Sequence, residues 1–183
     1  DTLGPLPPLP IAIRFDPDRA VDASFVEAAL RAAGGAIGQP LQLDMAGSVG
    51  VLGVIQVGTD VETSRWSTQL AHTEPRVLAA VAIHPNEAPV LHQAGELDAA
   101  LGVIDELAGL PRVVAVGETG LDFFRTPPEL HDAQKDAFRV HIEIAKKHGI
   151  ALQIHDRDAH DAVVEVLLEV GAPERTVFHC FSG

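Results

Sequence analysis

The sequence predicts an α/β fold, a parallel sheet of buried strands covered by helices. Three observations carry this. Short apolar runs rich in β-branched residues alternate with longer runs of helical period. The alternation repeats four times between residues 51 and 183. Each strand run is continuously apolar, the pattern of strands covered on both faces. Two architectures satisfy this pattern, an open doubly wound sheet and a closed (β/α)₈ barrel. No glycine-rich phosphate loop follows the first strand, which argues against a nucleotide-binding Rossmann domain.

The opening residues 1–10, DTLGPLPPLP, are proline-rich and read as an extended arm. Residues 11–50 are atypical. IAIRF is a candidate strand, and DASFVEAALRAAGG a candidate helix capped by Asp22 or Ser24 and ended at Gly34–Gly35. From residue 51 the pattern sharpens. VLGVIQVG reads as a strand and DVETSRWSTQLAH as a helix capped by Asp60. RVLAAVAIHP is the next strand; GELDAALGVIDELAG is the next helix, with Leu97, Leu101, Ile104 and Leu107 at helical spacing. RVVAVGE is a strand. ELHDAQKDAFRVHIEIAKKHG is the clearest helix, with Leu130, Gln134, Phe138, Ile142 and Ala145 on one stripe. Lys146, Lys147 and His148 suit its negative C-terminal end, and Gly149 stops it. IALQIH, DAHDAVVEVLLEVG and TVFHCF complete the order as strand, helix and strand. The 183 residues are read as a single domain.

Charge narrows the function. Thirteen basic against 26 acidic side chains give −13, so the chain does not hold nucleic acid by general basic charge. A phosphate-bearing substrate requires local cations, from a few arginines or from bound metal. One cysteine excludes an internal disulfide and fits a reducing compartment. No apolar run of about 18 residues predicts a membrane span, and the N-terminal residues lack the pattern of a secretory signal. A cytoplasmic setting is expected on these grounds. The only methionine is Met45, so the sequence is read as part of a longer translation product.

Each good strand leads into a polar residue at its C-terminal end. These are His84, then Glu118, then His155 followed by Asp156 and Arg157, then His179. In a parallel barrel those ends form one rim, where active sites gather. A lone histidine after a strand is commonly a hydrogen-bonded structural group, and a lone glutamate commonly a solvated acid. Packing does not explain four strands carrying metal-capable groups at one level. Imidazole and carboxylate together suit zinc, manganese or similar divalent ions. Two such ions can activate water and clamp a phosphate. Asp122 and Arg157 are positioned to support the ligands or the substrate, or to form a rim salt bridge. Most of His72, His92, His131, His141, His148 and His160 are expected on the solvated surface, and Cys180 as a small buried hydrophobe.

The motifs VGETGLDFFR, QIHDRDAHD and FHCFSG, with AIHPNE upstream, resemble the TatD-type DNases, metal-dependent hydrolases of the amidohydrolase superfamily. The resemblance covers roughly residues 51–183, and its four motifs agree in order and spacing. It implies a TIM-type (β/α) barrel. It implies hydrolysis of DNA phosphodiesters, as a 3′→5′ exonuclease acting on single strands or 3′ ends. It implies one or two divalent ions, zinc, manganese or magnesium. It makes Glu118, His155 and His179 metal ligands and His84 a catalytic or substrate-binding residue; Glu118 is also taken as catalytic, and Asp122 and Arg157, from their positions beside the ligands, as substrate-binding.

Two departures stand against the family pattern. The H-x-H pair that commonly ends the first strand is replaced by IAIRFDPDR, where Asp16 or Asp18 are the available acids. The last strand–helix units, including one with a metal-ligating aspartate, do not follow FHCFSG. The barrel is therefore expected to be incomplete, with an atypical first strand and with self-association through exposed edges. The competing readings are another amidohydrolase acting on a small ester or amide, and a non-catalytic degenerate barrel.

Overall fold

The computed structural model describes residues 53–179. The chain divides into two units after Val54, and the account below concerns the second, Ile55–Gly183, with Val54 opening its first strand. The proline-rich arm, residues 11–50 with Asp16, Asp18, Asp22 and Ser24, and Cys180 all lie outside the described residues.

The elements follow in order as β1 (Val54–Val57), α1 (Val61–Thr73), β2 (Val77–Val81), α2 (Ala88–Ala94) and α3 (Leu97–Ala108). Then come β3 (Val113–Asp122), a 3₁₀ turn (Pro128–Leu130), α4 (His131–His148), β4 (Ala151–Arg157), α5 (His160–Val170) and β5 (Thr176–Phe178). The sheet order is β1-β2-β3-β4-β5, and the pairs β2–β3, β3–β4 and β4–β5 are parallel. Spatial order equals chain order. A doubly wound sheet must reverse direction at a switch point; this one does not reverse. The helices form one layer, α1 packing on α3, α3 on α4 and α4 on α5. Sequential strands under a continuous helical layer are the geometry of a (β/α) barrel, here a five-stranded part of one.

Local chemistry explains the boundaries. Asp60 caps α1: Thr63 N–H donates to Asp60 Oδ1 at 2.7 Å, and Asp60 N–H donates to Thr63 Oγ1 at 3.1 Å. This reciprocal box contributes about 1 kcal/mol. Leu97, Leu101, Ile104 and Leu107 are buried, as are Phe138, Ile142 and Ala145 of α4. Leu130 falls in the 3₁₀ turn and is half-buried.

Three elements differ from expectation. The helix α2 is seven residues long, too short to show a period, and ends at Gly95 with φ +72°. The strand β3 does not stop at Glu118 but continues to Asp122. And α5 begins at His160 rather than Asp158, because Asp158 takes φ +55°, outside the helical region. The edge strands are also less covered than their apolar sequences suggest: Ile55 and Val177 are exposed. No helix among the described residues is long and apolar enough to cross a membrane.

Candidate metal centre

The centre is built on a local irregularity of β3. Val116 pairs with Leu152 and Thr119 with Ile154, so three steps along β3 match two along β4. The extra residue falls at Gly117–Glu118 and forms a bulge, a device that re-aims a side chain. The flanking glycines permit it. A Cβ on Gly117 would lie 2.5 Å from Gln153 Cβ. A Cβ on Gly120, at φ +130°, would collide with the carbonyl oxygen of its register partner His155. Both glycines let β3 press against β4, and the motif GETG is their trace in the sequence.

The result is a cluster drawn from β3, β4 and the segment that follows β2. His84, Glu118 and His155 each offer one ligand atom, and these atoms lie within 4.8 Å of one another. The His84 and His155 rings meet edge to face with centroids 4.7 Å apart. His155 Nδ1 is 2.9 Å from Glu118 Oε1, and its Nε2 is 3.1 Å from Asp122 Oδ2. Asp122 is buried, and its carboxylate also accepts from Arg125 N–H at 2.9 Å and Asn86 Nδ2 at 3.3 Å. It therefore fixes the His155 ring from behind, the usual arrangement for a metal-binding imidazole. His84 Nδ1 accepts from Asn86 N–H at 3.2 Å.

The charges are strongly coupled. Burial pulls the His84 pKa down, and the neighbouring His155 lowers it further against the pull of Glu118 and Asp122. Burial opposes ionisation of Glu118, but the His155 hydrogen bond and the charges of His179, His155 and His84 outweigh it and hold the carboxyl low. Asp122 is likewise held low despite its burial, by Arg125 N–H, Asn86 and His155. His155 is lowered by burial and raised more by its two carboxylates, ending above its ordinary value.

This donor set fits a divalent ion. Two imidazoles and a carboxylate form a mixed nitrogen–oxygen site of the kind zinc and manganese accept. One polar atom at its edge is unmatched: Asn86 Oδ1 is shut off from solvent and accepts no hydrogen bond among the described residues.

Two buried side chains of α4 hold the strand ends. Gln134 Oε1 accepts from Asp122 N–H at 2.9 Å, and its Nε2 donates to Pro85 O at 2.8 Å and Thr126 Oγ1 at 2.7 Å. His141 Nε2 accepts from Ile83 N–H at 3.1 Å, so the neutral ring carries its proton on Nδ1, 2.9 Å from Thr119 Oγ1. Burial lowers the His141 pKa to about 4, with the Ala137 carbonyl opposing. Of the contacted residues, Ile83 and Pro85 flank His84, and Thr119 and Asp122 follow Glu118 along β3.

Not every sequence-derived residue joins this cluster. His84, Glu118, His155 and Asp122 do. His179 follows β5; its backbone N–H donates to Ile154 O at 2.8 Å, and its charge acts on Glu118, but it falls outside the 4.8 Å group. Arg157 is exposed, its guanidinium 4.0 Å above the Phe124 ring, and it forms no salt bridge among the described residues. Asp156 pairs with His160. The surface reading of His141 is wrong: it is 0% exposed. Its register on α4, seven residues after Gln134 and three after Phe138, was the available signal. Among the other helix and loop histidines, His72, His92 and His160 are exposed, while His131 and His148 are half-buried. Asn86, Phe124 and Arg125 carried no periodic or spacing signal and were missed.

A parallel barrel segment with a histidine–carboxylate cluster at its strand ends defines a class, the metal-dependent barrel hydrolases. Comparison with known proteins names the family within it. The TatD related DNase family matches residues 39–183, and the chain belongs to that family. An uncharacterised metal-dependent hydrolase named TatD from Mycobacterium tuberculosis is 42% identical over 145 residues, 76% of this chain and 53% of its own. The 3′-5′ ssDNA/RNA exonuclease TatD of Salmonella typhimurium is 35% identical over 74% of this chain and 50% of its own. Among solved structures, YjjV, a TatD homologue of Escherichia coli, superposes with a TM-score of 0.64 at 28% identity, over 73% of this chain and 50% of that one. The chain thus spans about half the length of the curated relatives it matches.

Proposed function

We propose that this chain is part of a metal-dependent deoxyribonuclease that hydrolyses DNA phosphodiester bonds from the 3′ end of a single strand. The observation that carries this is the convergence of Glu118 and His155, with His84 beside them, at the ends of neighbouring strands. Membership of a family whose relatives include 3′-5′ ssDNA/RNA exonucleases supports the substrate.

Glu118, His155 and His179 would hold one or two divalent ions, zinc, manganese or magnesium. A bound divalent ion supplies Lewis acidity for the phosphoryl oxygen and lowers the pKa of water. The chain's own residues do the rest. Asp122 orients His155 through Nε2. His84, neutral because burial lowers its pKa, accepts from Asn86 N–H at Nδ1 and so keeps its proton on Nε2. That N–H is a hydrogen-bond donor for a phosphoryl or leaving oxygen. In the reaction water adds to phosphorus, the P–O3′ bond breaks, and the leaving oxygen takes a proton.

The test is metal retention followed by hydrolysis. Loaded with Mn²⁺ or Zn²⁺ and desalted, the chain is expected to keep about one ion or more. The loaded protein is expected to shorten a 5′-labelled single strand from its 3′ end. Cleavage of aryl esters but not of DNA would move the reading to a small-ester hydrolase. Failure of wild type to retain any ion would remove the metal centre.

A further inference from the structure

The loop between β3 and the 3₁₀ turn carries a feature that the metal centre does not use. Phe124 is 62% exposed, yet its loop is pinned on every side. Phe123 N–H donates to Arg157 O at 2.9 Å, and the Phe123 ring stacks on His131 with centroids 3.6 Å apart. Arg125 N–H donates to Asp122 Oδ1 at 2.9 Å. Thr126 accepts from Gln134 at its Oγ1 and contacts His131 Nε2 through its carbonyl at 2.8 Å. A single exposed phenylalanine is ordinary. A braced loop that holds one out, two residues past a carboxylate of the cluster, is a presented surface.

Of the ten lysines and arginines among the described residues, six are engaged, and Arg65, Arg76, Arg125 and Arg157 have no ion pair. Lys135, Lys146 and Lys147 each pair with a carboxylate, and Arg139 pairs with two. Arg112 and Arg175 donate to backbone carbonyls. Arg157 does neither among the described residues: its guanidinium carbon lies over the Phe124 ring, 4.0 Å from the centroid. With no ion pair there, its N–H donors remain available for the two-pronged binding of a phosphate. The side chain of exposed Arg125 has no ion pair among the described residues either, and its charge reaches His84.

We propose that Phe124, Arg125 and Arg157 form a nucleotide-docking subsite beside the metal centre. A nucleobase stacks on Phe124, and the two arginines take the phosphate of the same strand. This gives the acidic chain the local cations that a polyanion requires, and selects for an unpaired strand, whose bases are free to stack. It rests on the nuclease reading and adds the group that recognises the base.

The experiment is equilibrium binding, by fluorescence anisotropy, of a labelled oligothymidylate and an abasic strand of equal length. Chelator is present so that nothing is cut. Phe124→Ala is expected to weaken the thymidylate about tenfold or more, with the abasic strand unchanged. Phe124→Trp is expected to keep or tighten binding. Arg157→Ala should weaken both strands and flatten the salt dependence by roughly one phosphate contact. Equal binding of the two strands by wild type, or a Phe124→Ala variant indistinguishable from it, overturns the subsite; if wild type still cuts DNA, the nuclease reading survives alone. Wild type that binds neither strand and cuts none overturns both.

Discussion

The two faces of α4 both bear polar side chains and use them in opposite ways. On the outer face Lys135, Arg139 and Lys146 pair with Glu165, Glu169 and Glu143, partners that are 55–73% exposed. On the inner face Gln134 and His141 are fully buried and bond to residues at the ends of β2 and β3. Water competes for every outer pair, so each is worth about 0–1 kcal/mol. The inner groups have no water to fall back on, and an unmade bond there costs about 1–3 kcal/mol. The difference teaches that polarity on a helix is informative only with its burial. The buried pair holds the strand ends that carry the candidate metal centre, whereas the exposed pairs decorate the surface.

That contrast can be broken or sharpened. The largest effect belongs to the apolar part of the inner face: Phe138→Ala should cost about 3–5 kcal/mol in denaturant unfolding. A near-neutral result would mean that the face is not packed. His141→Leu comes next. Folded His141 has its pKa lowered to about 4 from 6.5, so between those values the unfolded chain binds more protons and stability falls as pH falls. The contribution is complete above pH 6.5 and shrinks by roughly 3 kcal/mol on reaching pH 4. Unfolding midpoints across that range should slope less steeply in His141→Leu than in wild type. Parallel slopes would contradict the buried, neutral ring.

Glu118→Gln tests what the inner face serves. It should fold as wild type by circular dichroism and bind Mn²⁺ at least ~10-fold more weakly by titration calorimetry. Unchanged affinity would remove Glu118 from the ligand set. The smallest effect is on the outer face, where Arg139→Ala should cost under about 1 kcal/mol and fade in high salt. A larger, salt-independent loss would erase the distinction between the faces.

Much of the fold was legible because strand and helix periods differ and because the helix-ending residues are chemically specific. Asp60, Gly149 and the leucines of α3 announced their elements. The helix α2 was not legible, since seven residues make too few turns to show a period. Of the site, His84, Glu118 and His155 were visible as polar residues interrupting apolar strands. His141 was not, because a histidine on a helix reads alike whether it meets water or a strand end. Arg157 was seen as a cation, but its stacking on Phe124 depends on a loop that no spacing predicts.

By itself the sequence determined the order of strands and helices, which residues are apolar enough to be buried, and which chemical groups stand at the strand ends. These are local properties, set by side-chain periodicity and backbone preference. Only the tertiary structure decided between a reversing sheet and a sequential one, since that depends on which strands pair. It also decided that Glu118 turns toward His155 through a bulge between two glycines, and that Asp122 faces the back of the same ring. Those contacts join residues more than thirty positions apart. Their geometry follows from register and close approach, which exist only once the sheet has formed.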